Sequence, residues 1–111
     1  MLTDLSYLRS MTDGNLELIR EMIEIFLDQI NEYTREMQQS YEQKNWHALS
    51  RVAHKAKSSV AVMGMHHLAE MLKDLEILSK EQKDVDKFPQ YIYRFTTECK
   101  EDSEELKTLK K

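Results

Sequence analysis

The chain has 111 residues and a formal net charge of -4, which suffices for one modest core and not for a second, so we expect a single domain over residues 1–111. Charged residues make up 32% of the sequence, but their signs are interspersed without a basic stripe to hold a phosphate backbone, so nucleic acid is not an expected partner. Two glycines and one proline are too few for the tight turns of an all-β fold, so we expect an all-α protein.

The amino-terminal part of the chain predicts a short helix followed by a long one. Leu2, Leu5 and Leu8 indicate the short helix, and Asn15 can cap the long helix that follows. One face of the long helix carries apolar residues at alternating spacings of three and four. These residues are Leu16, Ile19, Ile23, Phe26, Ile30, Tyr33 and Met37. We expect this face to point into the core.

The long helix has a second apolar cluster, roughly opposite the core face. It consists of Leu18, Met22 and Ile25. A bundle helix is expected to be polar there, and two interpretations are open. Either the short amino-terminal helix packs over the cluster, or the cluster is a docking patch for a partner protein.

Three further helices are predicted in the rest of the chain. Asn45 can cap a helix that ends at Gly64, with apolar positions at Leu49, Val52, Ala53, Ala56, Val60 and Met63. The next helix has the stripe Leu68, Met71, Leu72, Leu75 and Leu78, and the polar run from Ser79 to Asp86 predicts a loop. Pro89 suits the first turn of a last helix that continues through Cys99 to Leu109. We therefore expect an antiparallel four-helix bundle with a short extra N-terminal helix.

A helical wheel places His54 on the outer face of the third predicted helix. With Leu49 at zero, the six apolar positions fall within about 60° of their mean direction, whereas His54 falls about 140° from Leu49. The small residues Ser58 and Ala61 lie near the same direction, and Lys57 is about 60° round from the histidine. We expect an exposed, unpaired imidazole with a cation beside it.

An exposed imidazole with a free lone pair is a nucleophile that can attack phosphorus. The ammonium of Lys57 would offset the charge of the arriving phosphoryl group, and Lys55 would give weaker, more screened assistance. Ser58 and Ala61 leave room for a bulky partner, and the Ser58 hydroxyl is placed to bond the imidazole or the phosphate. Exposed histidines beside lysines are common on surface helices, so the spacing alone does not separate a functional role from an ordinary surface position.

The run Ala53-His54-Lys55-Ala56-Lys57-Ser58-Ser59, with Gly64 ten positions after the histidine, resembles the signature of histidine phosphotransfer (HPt) domains. The lead-in from Asn45 and Trp46 is similar as well. The resemblance implies a four-helix bundle in which His54 accepts a phosphoryl group and Lys57 assists. The sequence departs from the signature at Ser58, where the family usually has glycine, and at Ala56, where it often has leucine. We expect Ser58 to change the rate of transfer more than to abolish it.

The resemblance implies a role in a phosphorelay, with receiver domains of a response regulator or a hybrid sensor kinase as partners. We expect no cofactor on this chain, since Mg²⁺ would belong to the receiver. Two glycines provide no glycine-rich phosphate loop, so we expect a phosphoryl carrier and not a kinase. The alternative function is a degenerate HPt bundle that binds a signalling partner without transfer.

The sequence does not indicate a metal site, a membrane span or a leader. The four histidines lack a known metal-ligand spacing, because His47 and His54 stand ~10 Å apart along a helix axis, so no metal is expected. His66 and His67 are expected to be surface or helix-start residues. The sequence has no apolar stretch of about 18 residues and no charged leader followed by one, and its single cysteine suits a reducing compartment. We expect a cytoplasmic monomer without a membrane contact.

Overall fold

The structure is a computed structural model that describes residues 9–10 and 12–109, with side chains described up to residue 102. Four helices occupy most of this part of the chain: α1 (Leu16–Glu42), α2 (Trp46–Val62), α3 (His66–Glu81) and α4 (Phe88–Leu109). A single 3₁₀ turn, Val85–Lys87, precedes α4, and the described residues contain no strand. The predicted all-α bundle of four helices is confirmed. The amino-terminal helix was predicted from Leu2, Leu5 and Leu8, which lie outside the described residues.

Local hydrogen bonds explain where the helices begin and end. The Asn15 and Asn45 side chains each accept a hydrogen bond from the backbone N–H three residues later, both at 3.1 Å, as the sequence predicts for helix caps. After α2, Gly64 adopts a φ of 74°, a left-handed conformation that glycine reaches without strain. The chain can therefore reverse at once into α3, which places α3 along the length of α2.

Each helix turns its apolar face to one shared core. The six apolar positions predicted for α2 are all buried, as are five of the seven predicted for α1. Tyr33 is half-buried and packs against the core. Leu16 was predicted wrongly, because its side chain is 64% exposed. Leu16 is the first residue of α1 and precedes Ile19, the first buried residue of that helix.

The connection between α3 and α4 is shorter than predicted. Ser79 and Lys80 were expected to begin a loop, but α3 continues to Glu81. Ser79 is fully buried, and its hydroxyl donates a 2.6 Å hydrogen bond to the Leu75 carbonyl. Because of this bond, a polar side chain can occupy the core face of the last helical turn. A prediction from residue polarity alone therefore ends the helix too early.

Cys99 on α4 is fully buried in the core. Burial, together with the nearby carboxylates of Asp102 and Glu98, raises the pKa of the Cys99 thiol to about 12. The side chain is therefore a protonated, unreactive core residue at neutral pH.

Candidate functional site

The candidate site lies on the outward face of α2, halfway along the helix. His54 is the ninth of its 17 residues, and its side chain is 59% exposed. Its neighbours Ala53 and Ala56 are fully buried, so the helix is held by its inner face while the imidazole stands outside the core. The exposure predicted from the wheel is confirmed.

The imidazole is exposed but not unpaired, which corrects the expectation from the sequence. Its Nδ1 lies 3.0 Å from Oε2 of Glu76 on the neighbouring helix α3. The other oxygen of the same carboxylate, Oε1, accepts a 3.0 Å hydrogen bond from Nζ of Lys57. One carboxylate therefore bridges the two residues of α2 that the sequence singled out, and the exposed fraction of its side chain is 23%.

The charge of Glu76 fixes which ring nitrogen carries the proton. Burial alone would raise the pKa of Glu76, but the hydrogen bonds from Lys57 and His54, with the charges of both residues, bring it below the ordinary value of a glutamate. An ionised carboxylate can only accept hydrogen bonds. Nδ1 of His54 must therefore be the donor, and in the neutral ring the lone pair belongs to Nε2.

The backbone at Glu76 is tied to α2 as well. The Ser50 hydroxyl, one turn before His54, donates a 3.1 Å hydrogen bond to the Glu76 carbonyl, and Ser50 itself is buried. A second hydroxyl, that of Ser79, lies 3.2 Å from the same carbonyl. The position of Glu76 beside the imidazole is thus set by backbone contacts and not by its flexible side chain alone.

The other predicted site residues are Lys55, Ser58 and Ala61. They lie at different positions relative to His54, Lys57 and Glu76. Lys55 is exposed and lines a groove on the α1 side of α2, together with Gln39 and Arg51. The structure does not bring it to the Glu76 side. Ser58 is exposed, and its described contact is a 3.4 Å hydrogen bond to the His54 backbone carbonyl. Ala61, one turn further, is half-buried.

The apolar cluster of α1 is only partly exposed. Leu18 and Ile25 are exposed, the latter by 58%, whereas Met22 is half-buried and packs against the core. The expectation that the whole cluster lies opposite the core is therefore wrong for Met22. Met22 and Ile25 line a groove between α1 and α2 with Ser59 and other residues, and Ser59 is about 7.5 Å along the helix axis from His54. Ser59 is also about 140° round the helix from His54, so the groove lies on the α1 side of α2, whereas the imidazole contacts α3.

His66 and His67 lie at the start of α3. His66 begins α3 as predicted, and Nε2 of His67 lies 3.1 Å from a Glu98 oxygen of α4. Among the residues that the structure describes, no group of three or more histidine, cysteine or acidic side chains is arranged to hold a metal ion. Within the same ranges, no helix is both long enough and apolar enough to cross a membrane.

Glu76 is the residue of this site that the sequence did not reveal. Glu76 directly follows Leu75 of the core face of α3. The sequence therefore allows the prediction that Glu76 lies at the edge of that face. Its partner across the interface was not visible, because pairing between helices depends on how α3 is rotated and shifted against α2.

Comparison with known families finds a match over most of the chain. The sequence model of the family described as Hpt domain matches residues 21–109. The match spans α1 from its second turn, all of α2 and α3, and α4 to its end. No curated protein and no solved structure matches the chain.

Proposed function

The chain belongs to the Hpt domain family, and on this basis we propose that it accepts a phosphoryl group on His54 from a receiver-domain aspartate and passes it to another receiver. The family gives the chain a phosphotransfer role in a phosphorelay. The choice of His54 as acceptor, and the roles of its neighbours, are our proposal. One observation supports it best: Nδ1 of the exposed ring lies 3.0 Å from the Glu76 carboxylate, and a donor Nδ1 leaves the lone pair on Nε2.

The proposed transfer needs no proton to move. The Nε2 lone pair attacks the phosphorus of the aspartyl phosphate, and the bond between phosphorus and the aspartyl oxygen breaks with its electrons returning to the carboxylate. The proton remains on Nδ1, beside Glu76. Onward transfer is the reverse reaction, with an aspartate of the second receiver as the attacking group.

Lys57 is proposed to stabilise the charge of the group in transit. Its ammonium lies on the same side of α2 as the imidazole and is 3.0 Å from Oε1 of Glu76. Because its side chain is 28% exposed, it can turn from the carboxylate to an arriving phosphoryl group. Lys55, on the other side of the helix, is left with a weaker, long-range contribution.

The surroundings of His54 fit the approach of a folded partner. Ser58 and Ala61 are small and do not cover the ring, and we propose the groove beside Ser59 with Leu18, Met22 and Ile25 as the docking surface. Apolar contact there would supply affinity while the charges orient the partner. The Mg²⁺ that the reaction uses would be held by the receiver.

The chain is proposed to act as a carrier and not as an enzyme that forms phosphohistidine from a nucleotide. Its partners would be the receiver domains of a response regulator or a hybrid sensor kinase. We propose that it acts as a monomer in the cytoplasm, where such receivers would meet it.

The direct test is transfer of labelled phosphate from a phosphorylated receiver. We expect label on the wild-type chain in an adduct that is labile in acid and stable in base, and none on His54→Gln. Undiminished label on His54→Gln would refute His54 as the acceptor. If both proteins bind the receiver equally and neither is labelled, the chain is a binding adaptor and the transfer proposal is wrong.

A further inference from the structure

We propose that the groove between α1 and α4 binds an extended peptide segment of a partner protein. Helix α1 packs between α2 and α4, and α3 packs between the same two helices, so the edge formed by α1 and α4 is opposite the edge formed by α2 and α3. The imidazole of His54 contacts α3 at that second edge. The groove therefore lies on the other side of the bundle, and its role does not depend on the transfer proposed above.

Two rows of side chains form the walls of this α1/α4 groove. The residues of each row recur at spacings of four, three and four, which keeps them on one side of a helix. Gln38 and Thr96 line both halves of the groove, so the two halves are continuous. The α4 row spans about 16 Å along the helix axis, a length that about five residues of extended chain cover. The α1 row is Asn31, Arg35, Gln38 and Glu42, and the α4 row is Pro89, Tyr93, Thr96 and Lys100.

The half of the groove at the start of α4 has an apolar, aromatic surface. It has a volume of about 400 Å³ and is lined by Ile92, the half-buried Tyr41 and Tyr93, of which the last is 71% exposed. The ring of Tyr41 lies 5.8 Å from that of Trp46, which lies 5.5 Å from the ring of the buried Phe88. These contacts hold Tyr41 in place before a ligand arrives, which lowers the ordering that binding requires. Exposed tyrosine beside apolar surface is typical of interfaces.

The two ends of the groove carry opposite charges. Glu42 is exposed at the end where α4 begins, and Arg35 and Lys100 are exposed at the other end. Arg35 also forms a 3.2 Å ion pair with Glu32, but both side chains are more than half exposed, so this pair is weak and can exchange for a ligand. The groove therefore complements a peptide with a cation at one end, an anion at the other and an apolar side chain between them.

The half of the groove near Lys100 contains a buried hydroxyl. The oxygen of Thr34 is buried, and within the described part of the chain it makes no hydrogen bond. Thr34 lines this half of the groove, and threonine in a helix has two common χ1 rotamers. A backbone group of an extended peptide in the groove would give this hydroxyl a hydrogen-bond partner.

The size of the groove favours an extended segment over a helix. The half near Lys100 has a volume of about 330 Å³, and both halves are in the range of sites for small ligands. A helix with its side chains is about 10–12 Å wide and does not fit. A peptide segment in this groove holds the protein that carries it near the chain while His54 stays open, which raises the effective concentration of that partner.

The test is a ¹H–¹⁵N NMR titration of the full chain with the capped pentapeptide Lys-Ala-Leu-Ala-Asp. We expect saturable shifts of the backbone signals along both rows of the groove and unchanged signals around His54. The neutral peptide Gln-Ala-Leu-Ala-Asn should shift the same signals and bind about fivefold more weakly, because exposed ion pairs contribute modestly. The absence of saturable shifts with the charged peptide, or shifts confined to α2 and α3, would overturn the proposal.

Matched variants locate the binding. Tyr93→Ala should weaken both peptides about tenfold through loss of an aromatic anchor, with helical content by circular dichroism unchanged. Ile77→Ala, at a position of α3 that is 45% exposed, should weaken neither. Glu42→Lys should weaken the charged peptide and leave the neutral one unchanged, and equal losses for both would refute the charge complementarity.

Two further measurements separate this proposal from the alternatives. Sedimentation of the wild type tests for a second copy as the occupant: a dimer that Tyr93→Ala dissociates would make the groove a self-association surface, and the peptide proposal would be wrong. Phosphorylation of His54 by phosphoramidate should proceed at the same rate with and without saturating peptide. Loss of peptide binding and loss of phosphotransfer are therefore distinguishable results.

Discussion

Replacing Lys57 with alanine should slow phosphoryl transfer about tenfold while leaving the bundle folded. The substitution removes an ammonium that stands 3.0 Å from Oε1 of Glu76 and can reach a group on Nε2 of His54. The helix retains its inner face, because Ala53, Ala56 and Val60 make the core contacts of this part of α2.

The magnitude follows from the distance and the solvent exposure of the lysine. Two unit charges about 4 Å apart interact by about 1 kcal/mol in bulk water and by about 4 kcal/mol at the effective dielectric of a protein surface. Lys57 is 28% exposed, and only part of this interaction is specific to the transition state. We therefore assign about 1.4 kcal/mol to the barrier, which is a factor of ten in rate. The effect on unfolding should stay below about 1 kcal/mol, as for other partly exposed ion pairs.

The assay is rapid-quench transfer of label from a phosphorylated receiver to the wild type and the variant, with urea unfolding of both proteins. The matched control is Lys55→Ala, which removes the same charge from the α1 side of α2 and should change the rate less than about twofold by the screening of exposed charges. If Lys57→Ala transfers at the wild-type rate, or Lys55→Ala is equally slow, electrostatic assistance by Lys57 is refuted. A large loss of stability in Lys57→Ala would show that its role is structural.

Three further outcomes are expected. Ile25→Glu should raise the receiver concentration needed for half-maximal transfer about tenfold, the cost of one disrupted apolar contact, with phosphorylation by phosphoramidate unchanged; equal concentration dependence would remove Ile25 from the docking surface. Ser58→Gly should transfer at least as fast as wild type and lose about 0.5–1 kcal/mol of stability in urea, as glycine does in a helix; slower transfer would mean that the hydroxyl contributes to the reaction. Burial raises the pKa of Glu76 in the folded protein, but Lys57 and His54 lower it by more, so the net shift is downward. The stability that the ionised carboxylate gives the fold is therefore present above the pKa of Glu76 in the unfolded chain. It is lost as the pH falls through the pKa of Glu76 in the folded protein. The stability difference between wild type and Glu76→Gln should therefore shrink below about pH 4.3; the same difference at pH 7 and pH 3 would contradict this sign.

The sequence predicts well those features that a single helix determines. The spacing of apolar residues identified the inner face of α2, and Asn15, Asn45 and Gly64 marked where helices begin or end. These features depend on 3.6 residues per turn and on backbone groups within a few residues. The errors concern a helix end and a polar residue. Leu16 has the spacing of the core face but is exposed at the first position of α1, and Ser79 is buried because its hydroxyl bonds within its own helix.

The resting state of His54 shows the same limit at the site itself. The helical wheel gave the direction of the imidazole correctly. The sequence analysis expected an exposed ring without a hydrogen-bond partner, because a partner was assumed to occupy the lone pair. The ring has two nitrogens, and Glu76 occupies only Nδ1. By holding a proton there, the carboxylate leaves the lone pair on Nε2. The hydrogen bond between Nδ1 and Glu76, which the sequence did not predict, therefore makes Nε2 the nucleophile. This bond depends on how α3 packs against α2.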